Sequence, residues 1–349
     1  MIPFRYDEPE TLAVACAKID HAGSMAIAGG TTLIDLMKLN VLTPTTVVHV
    51  RKILPSTVTT RDNHLVIGAA CTMANLADHP LVNGKLSVVR QSLILAASPQ
   101  IRNMATLGGN LLQRTRSPYF RHTDMPVQYE STRKTGAAEP VEAVFGAGVE
   151  TSLLAVLGNQ GRLVGMYPGD FAVTFVAFNG KLVLASPDGE RTVEARKFFQ
   201  APSDSFQYST TLKPNEVIKE LHLPLTETLK NSFYHKVRER SSYAFALASC
   251  AVGLKLEGDR IIAANIGLGG LAPIPWHSPE AEQELIGQVA SDKTFARAAD
   301  AALAEANAPS GLEFKVPLAK TTIIRALQIV RDQGPLKDEQ LWSMQHGRG

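Results

Sequence analysis

The sequence is poor in cysteine. It holds three, Cys16, Cys71 and Cys250, which are odd in number and far apart along 349 residues. A disulfide scaffold is typically built from a paired, closely spaced set of cysteines, so we exclude one and expect a reducing compartment. An iron–sulfur cluster of the [4Fe-4S] type needs four thiolates, so the cysteines of this chain are too few to bind one.

The sequence also lacks a strong charge imbalance and a long apolar run. Lys and Arg total 35 against 33 Asp and Glu, and this balance argues against nucleic acid or an anionic membrane as a partner. The least polar stretch, residues 244–254, is too short to cross a bilayer. Asp7 and Glu8 stand where a secretory signal would be basic and then apolar. We therefore expect a cytoplasmic protein without membrane insertion; a periplasmic location stays open if a signal-bearing partner exports the folded complex.

The composition is that of a folded protein without hydrolase motifs. The 9 histidines show no HExxH spacing, and no GxSxG motif occurs. Hydrophobic residues make up 45% and charged residues 19% of the chain. At roughly 150 residues per domain, the length predicts two or three domains.

Apolar periodicity predicts helices and strands along most of the chain. Helices are predicted at residues 9–19, after Gly30, at 75–80, at 85–97, after Pro168, and at 279–286, 294–306 and 318–332. Strands are predicted at residues 45–50 and 64–69, in a hairpin around Asp188-Gly189, and as two long antiparallel strands around Gly258-Asp259. Residues 224–230 are predicted as a linker.

A first glycine loop, Ala28-Gly29-Gly30-Thr31-Thr32-Leu33, lies where a predicted strand meets a predicted helix. Glycines let the backbone approach a ligand, and the free N–H groups at a helix start can hold a phosphate. The spacing is neither GxGxxG nor GxxxxGK[ST], which argues against a Rossmann or P-loop nucleotide site. A tight turn with a threonine helix cap is the alternative interpretation.

A second glycine loop spans Thr106-Leu107-Gly108-Gly109-Asn110, in the longer run SPQIRNMATLGGNLL. Thr106 and Asn110 flank a glycine pair and offer hydrogen bonds, so the two loops together could clamp an extended diphosphate ligand. A bulged turn is the structural alternative.

Together, AIAGGTTLIDLMK and SPQIRNMATLGGNLL resemble the paired FAD-binding signatures of the flavoprotein subunit of molybdenum hydroxylases. This group includes xanthine dehydrogenase, carbon monoxide dehydrogenase and bacterial aldehyde oxidoreductases. The resemblance continues in order through YPGDF at residues 167–171, EVI at 216–218 and YHKVR at 234–238.

The resemblance implies a set of FAD-binding residues. Two loops would hold the diphosphate and ribityl portions, and their residues are Ala26, Ile27, Ala28, Gly29, Gly30, Thr31, Thr32 and Leu33, then Thr106, Leu107, Gly108, Gly109 and Asn110. Asp170 would bond FAD hydroxyls or the ring edge, with a helix N-cap as its alternative. Ile218 would pack on the flavin ring, or be plain core. Lys236 would place positive charge near the ring, or be an exposed strand lysine.

A long insertion, residues 113–165, separates the second loop from Asp170. QRTRSPYF resembles three-subunit aldehyde oxidoreductases whose insertion carries cysteines for an extra [4Fe-4S] cluster, but Ser117 and Val127 stand where two ligands are expected. We therefore expect no [4Fe-4S] cluster, no metal and a packing or subunit-contact role for the insertion. The segment with Arg238, Glu239 and Arg240 corresponds to a loop that governs access of the electron acceptor in some relatives, or is a solvated face.

The resemblance implies an α+β fold. A two-lobed FAD-binding domain of the PCMH type would span residues 1–225, with lobes at about 1–60 and 61–225. A smaller α+β domain with an antiparallel sheet and helices would span residues 226–349.

The implied function is electron transfer by FAD, with no catalytic side chain in this chain. A large partner would hold the molybdenum cofactor and oxidise an aldehyde, and a small partner would pass electrons through two [2Fe-2S] clusters to FAD. Oxygen, a quinone or dye, or NAD would accept them. The alternatives are a free-standing FAD-dependent oxidase and a flavin-free assembly subunit.

Overall fold

The N-terminal residues form a small parallel sheet in a computed structural model that describes residues 1–121, 152–160, 164–201, 209–336 and 338–340. Its strands, in the spatial order β1-β3-β2, are β1 (Arg5–Asp7), β2 (Ser24–Ile27) and β3 (Thr46–His49). Helices α1 (Leu12–Ile19) and α2 (Leu33–Lys38) connect them. The predicted first helix is confirmed, and it begins at Leu12 because the Thr11 hydroxyl accepts a hydrogen bond from the Val14 N–H, at 3.3 Å.

A second, antiparallel sheet has the strand order β4-β5-β8-β6-β7. Its strands are β4 (Val58–Arg61), β5 (His64–Gly68), β6 (Lys181–Ser186), β7 (Gly189–Glu194) and β8 (Val217–Pro224). The hairpin predicted from Asp188-Gly189 is confirmed: it joins β6 to β7, and Gly189 has a φ of +127° that favours glycine.

Short helices occur along the chain between β5 and β8. They are α3 (Met73–Asp78), α4 (Ser87–Ile94), α5 (Pro99–Met104), α6 (Leu107–Leu111), α7 (Pro118–Arg121), α8 (Asp170–Ala177) and α9 (Ala195–Phe198). Every residue of α8 is buried, and the rings of Phe171 and Phe175 stack with centroids 5.8 Å apart. Because α8 contacts both α4 and the C-terminal strands, it joins the two halves of the hydrophobic core.

The linker predicted at residues 224–230 is a short connection that contains one helix. Strand β8 continues to Pro224, and a short helix, α10 (Glu227–Lys230), follows it almost at once. The Thr226 hydroxyl caps this helix by accepting from the Leu229 N–H at 3.2 Å. Buried Thr228 and Leu229 fix the helix against the core, so the polar sequence here is a packed connection.

The C-terminal part is an antiparallel sheet backed by helices, as predicted. The strand order is β12-β11-β10-β9, with β9 (Ser232–Val237), β10 (Ala248–Glu257), β11 (Arg260–Gly269) and β12 (Trp276–His277). The helices are α11 (Pro279–Leu285), α12 (Asp292–Ala302) and α13 (Lys315–Gln333). Helix α13 packs on β9 and β10. Strand β9 also contacts α4, and strand β10 also contacts α8. The mixed helix and sheet content confirms the expected α+β fold.

Both described ends of the predicted insertion are attached to the fold. At its start, Arg121 pairs with Asp35 of α2. At its end, the fully buried Lys315 donates from Nζ to the carbonyl oxygens of Ser152 (2.8 Å), Leu154 (3.1 Å) and Gly270 (2.7 Å). Val127, expected in place of a cluster ligand, lies outside the described residues.

Candidate cofactor site

The first glycine loop connects β2 to α2 and lies against the end of α5. Gly30 has a φ of +75°, which favours glycine. A Cβ on Gly29 would lie 2.2 Å from the Met104 carbonyl oxygen, so only glycine fits there without a backbone shift. This contact brings the first loop against the residues that lead into the second.

The first loop carries polar groups without partners. Within the described residues, the backbone N–H groups of residues 29–33 donate to no acceptor, and the Thr32 side chain makes no capping bond to α2. Ile34 and Leu36, by contrast, donate to the carbonyls of Gly30 and Thr32 as the helix begins. The expected alternative of a threonine helix cap is therefore wrong for this loop, and its donors remain open to a ligand.

The second glycine loop is organised differently. The Thr106 hydroxyl caps α6 by accepting from the Gly109 N–H at 3.3 Å, while the N–H groups of Leu107 and Gly108 donate to Cys71 and Ala69. These backbone donors are already used within the fold, and Leu107 and Gly108 are buried. Two other groups of the loop are available to a ligand. Gly109 is exposed, and the Oδ1 atom of Asn110 is buried without a partner among the described residues.

Two cavities meet at the first loop. One has a volume of about 420 Å³ and the other about 620 Å³, and both are lined by Thr31 and Thr32. The smaller cavity is lined by residues 26–33 together with Thr106 and Gly109. The larger cavity is lined by Asn110 and Asp170. A ligand that occupied both cavities would therefore contact the first loop between them.

Asp170, which lines the larger cavity, is held in a buried ion pair with Lys236 behind it. The Lys236 Nζ lies 2.8 Å from Asp170 Oδ2 and 3.0 Å from the Leu95 carbonyl oxygen, and the Tyr234 hydroxyl donates to Asp170 Oδ1 at 2.7 Å. Burial and the Asp170 carboxylate raise the pKa of Tyr234 well above its usual value, so its phenol stays protonated and donates. The alternative of an exposed lysine at position 236 is wrong, because its side chain is 1% exposed.

Asp170 is not a helix cap. Gly169 occupies the N-cap position of α8, and Asp170 is the first residue of the helix itself. Its carboxylate turns towards β9, where Tyr234 and Lys236 hold it. A carboxylate accepts through several lone pairs, so two protein donors leave acceptor capacity at the cavity wall.

The structure does not bring every expected residue to the cavities. Among the described residues that line them, Ile218, Lys236, Leu107 and Gly108 do not occur. Ile218 lies in β8 opposite Leu184 and is 3% exposed, in the core cluster.

Other lining residues were not singled out from the sequence as binding residues. They are Arg116, Arg121, Tyr243 and Phe245, beside Glu239 and Arg240 of the loop after β9. The Arg116 guanidinium lies 4.7 Å from the centre of the Phe245 ring, and Arg240 donates to the Tyr243 carbonyl. Only the basic character of QRTRSPYFR hinted at Arg116, since no helical or strand period marks the residue.

The described part of the chain has neither a helix that could cross a membrane nor a cluster of side chains that could hold a metal ion. No helix there is long and apolar enough to cross a bilayer. No group of His, Cys, Asp and Glu side chains in the same residues is arranged to hold a metal ion.

Two family models cover most of the chain. Residues 2–226 match the FAD binding domain in molybdopterin dehydrogenase, and residues 232–330 match the CO dehydrogenase flavoprotein C-terminal domain.

Similar proteins match along nearly their full length. The aldehyde oxidoreductase FAD-binding subunit PaoB of Escherichia coli is 33% identical, over 95% of this chain and 100% of its own. The carbon monoxide dehydrogenase medium chain of Afipia carboxidovorans is 28% identical, over 94% of this chain and 97% of its own. The solved structure of reconstituted CO dehydrogenase from Oligotropha carboxidovorans includes a chain that superposes with a TM-score of 0.72 and 25% identity, over 95% and 99% of the two chains. The chain therefore belongs to the FAD-binding, medium-subunit family of the molybdenum hydroxylases.

Proposed function

We propose that this chain is the FAD-carrying electron-transfer subunit of a molybdenum-dependent aldehyde oxidase or dehydrogenase complex. The observation that carries the proposal is the row of open backbone donors at residues 29–33, placed where the two cavities meet. An extended dinucleotide has its anionic diphosphate at its middle, and backbone N–H groups at a helix start suit that charge.

The site fits FAD on independent grounds. Asn110 lines the larger cavity, and its buried Oδ1 has no partner among the described residues. This oxygen can therefore accept a hydrogen bond from a ligand. Thr31 and Thr32, which carry hydroxyl groups, line both cavities. When bound, FAD supplies the redox chemistry, because it accepts electron pairs and releases them singly or together.

We propose that residues 26–33 hold the diphosphate and its flanking sugars, with Thr106 and Gly109 on the opposite side of the smaller cavity. Asn110 and Asp170 then meet the flavin half in the larger cavity. Lys236 acts through Asp170: its charge is already matched by the carboxylate at 2.8 Å, so it orients that carboxylate. Leu107, Gly108 and Ile218 support the site from the core.

The partners follow from the relatives. One curated relative is named as an aldehyde oxidoreductase subunit, and others as medium chains of carbon monoxide or glyceraldehyde dehydrogenase. We propose a large partner with the molybdenum cofactor, a small partner with two [2Fe-2S] clusters, and oxygen, a quinone or dye, or NAD as the acceptor. The complex would work in the cytoplasm, or in the periplasm if a signal-bearing partner exports it.

The test is to purify the full chain, release its chromophore by heat or acid and identify it by chromatography. We expect FAD in near-equal amount to the protein, and a chain purified from FAD-replete cells without flavin would refute the proposal. Purification without flavin is the result expected if the chain is a flavin-free assembly subunit.

A free-standing oxidase is separated by a different measurement. The FAD-loaded chain alone is given aldehydes under anaerobic conditions, and the flavin absorbance is followed. We expect no bleaching until the molybdenum and iron–sulfur partners are added. Bleaching by the lone chain would show that it oxidises substrate by itself.

A further inference from the structure

Arg116 is half-buried, with its side chain 24% exposed, and its guanidinium has an incomplete set of partners. Its Nε is buried and donates to no acceptor in the described part of the chain. Among the described residues, its nearest carboxylate oxygen is Asp35 Oδ2, 3.7 Å from Nη1 and beyond ordinary hydrogen-bond length. Asp35 is also paired with Arg121, so its charge is shared between two guanidinium groups.

The position of Arg116 relates it to the first glycine loop. Asp35 lies in the first turn of α2, the helix that begins where this loop ends. Arg116 itself lines the larger cavity, together with Thr31 and Thr32 of the loop. Arg116 and two residues of the loop that carries the open backbone donors therefore border the same cavity.

The ring of Phe245 fixes the plane of this guanidinium. It lies 4.7 Å from the Arg116 Cζ and comes from the segment between β9 and β10. A stacked guanidinium keeps its edge donors directed sideways and loses little freedom when it binds an anion. Burial and the neighbouring Arg121 lower the pKa of Arg116, but an arginine so placed stays charged.

We propose that Arg116, from the insertion, is a binding residue for the FAD diphosphate, supplying the full positive charge that the first loop lacks. This inference rests on the proposed function. Backbone N–H groups carry only partial charge, whereas a diphosphate is a dianion, and arginine forks recognise phosphate oxygens through paired hydrogen bonds. The other arginines of the larger cavity are engaged, Arg121 with Asp35 and Arg240 with the Tyr243 carbonyl.

The experiment compares full-length chains stripped of FAD, using three probes: FAD, ADP and riboflavin. ADP carries a diphosphate without flavin, and riboflavin carries flavin without phosphate. For Arg116→Gln we expect the Kd for FAD and for ADP to rise by about 10- to 100-fold, with riboflavin affinity unchanged. Arg116→Lys, which keeps the charge but loses the fork, should recover part of the ADP affinity.

The matched control is Arg297→Gln, which removes an exposed arginine paired with Glu284 on the C-terminal helices. It should bind all three probes as the wild type does. The thermal midpoint of each stripped variant is measured as well, so that a folding defect in Arg116→Gln is separated from a lost contact. If the thermal midpoint of Arg116→Gln falls, Arg116→Lys becomes the deciding variant. The inference then requires that Arg116→Lys bind ADP more weakly than the wild type while its thermal midpoint is unchanged.

Unchanged ADP affinity in a folded Arg116→Gln chain overturns the inference. A loss confined to riboflavin and FAD also overturns it, because the guanidinium would then serve the ring and not the diphosphate. The failure of the proposed function looks different: the wild-type chain itself would take up neither FAD nor ADP.

Discussion

The Lys236 ammonium and the Asp170 carboxylate form a salt bridge of 2.8 Å, with side chains only 1% and 5% exposed. They come from β9 of the C-terminal sheet and from the start of α8, so the pair ties two parts of the chain together at the cavity wall. Burying both charges is costly, and the pair is sustained by further bonds to Tyr234 and the Leu95 carbonyl.

Removing one member of this pair should cost more than removing both charges. Lys236→Met leaves Asp170 buried without its cation, and we expect the free energy of unfolding to fall by about 3–5 kcal/mol. The double variant Lys236→Met with Asp170→Asn should recover part of that loss. Urea unfolding of the stripped chains measures both. A single variant as stable as the wild type would show that the pair contributes little.

The cysteines should be inert in the folded chain. Cys16, Cys71 and Cys250 are all buried, and burial raises the pKa of Cys71 to about 11. A thiol reagent at pH 8 should therefore label none of them until denaturant is added, because the thiolate is the reactive form. Mass spectrometry after alkylation counts the labels; rapid labelling of Cys71 in the native chain would contradict its burial.

His235 should make the fold sensitive to acid. Burial, with a smaller contribution from Arg325, lowers its pKa from 6.5 to about 4. Between those pH values the unfolded chain binds more protons than the folded one, so this contribution to stability is complete above pH 6.5 and is lost as the pH falls towards 4. The shift corresponds to about 3 kcal/mol. His235→Gln should flatten the difference in unfolding free energy between pH 7 and 4; an unchanged slope would refute the role of His235.

Gly29 should not tolerate a side chain. In Gly29→Ala the new Cβ would meet the Met104 carbonyl oxygen at 2.2 Å, so the two segments must move apart. We expect a loss of about 1–3 kcal/mol in unfolding free energy and weaker FAD binding. Gly84→Ala is the control, since nothing lies within 4 Å of a Cβ there and only the strain of its φ of +73° remains. Normal FAD binding by Gly29→Ala would show that the loop spacing is not needed.

The isolated chain should carry no iron. Ser117, which stands where the resembling insertion has a cysteine, is a buried serine, and the nearest cysteines in sequence are Cys71 and Cys250. Iron analysis of the purified chain tests this. About four irons per chain would show that a [4Fe-4S] cluster is bound by other residues.

Local patterns predicted those features that depend on local sequence. The hairpin at Gly189 and the long strands around Gly258 are specified by turn residues and alternation, and both are present. The helix at residues 227–230 was missed because its stability comes from a threonine cap and from packing of Leu229.

The site could be predicted only in part, for a related reason. The first glycine loop could be recognised from its own residues. The roles of Asp170 and Lys236 were predicted from the family resemblance. The ion pair of Asp170 and Lys236 joins two segments that are distant in sequence. Arg116 is positioned by contacts with Asp35 and Phe245, which form only in the folded chain. Likewise, the N–H groups of the second loop are used by Cys71 and Ala69, which no local pattern indicates.

The two described ends of the insertion are held by separate contacts: Arg121 pairs with Asp35 of α2, and Lys315 at the start of α13 donates to the Ser152 carbonyl oxygen. Neither of these two contacts involves a residue between 121 and 152. A chimeric chain that carries another segment in place of residues 122–151 should therefore keep both attachments, together with Arg116 and the cavity residues Asn110 and Asp170.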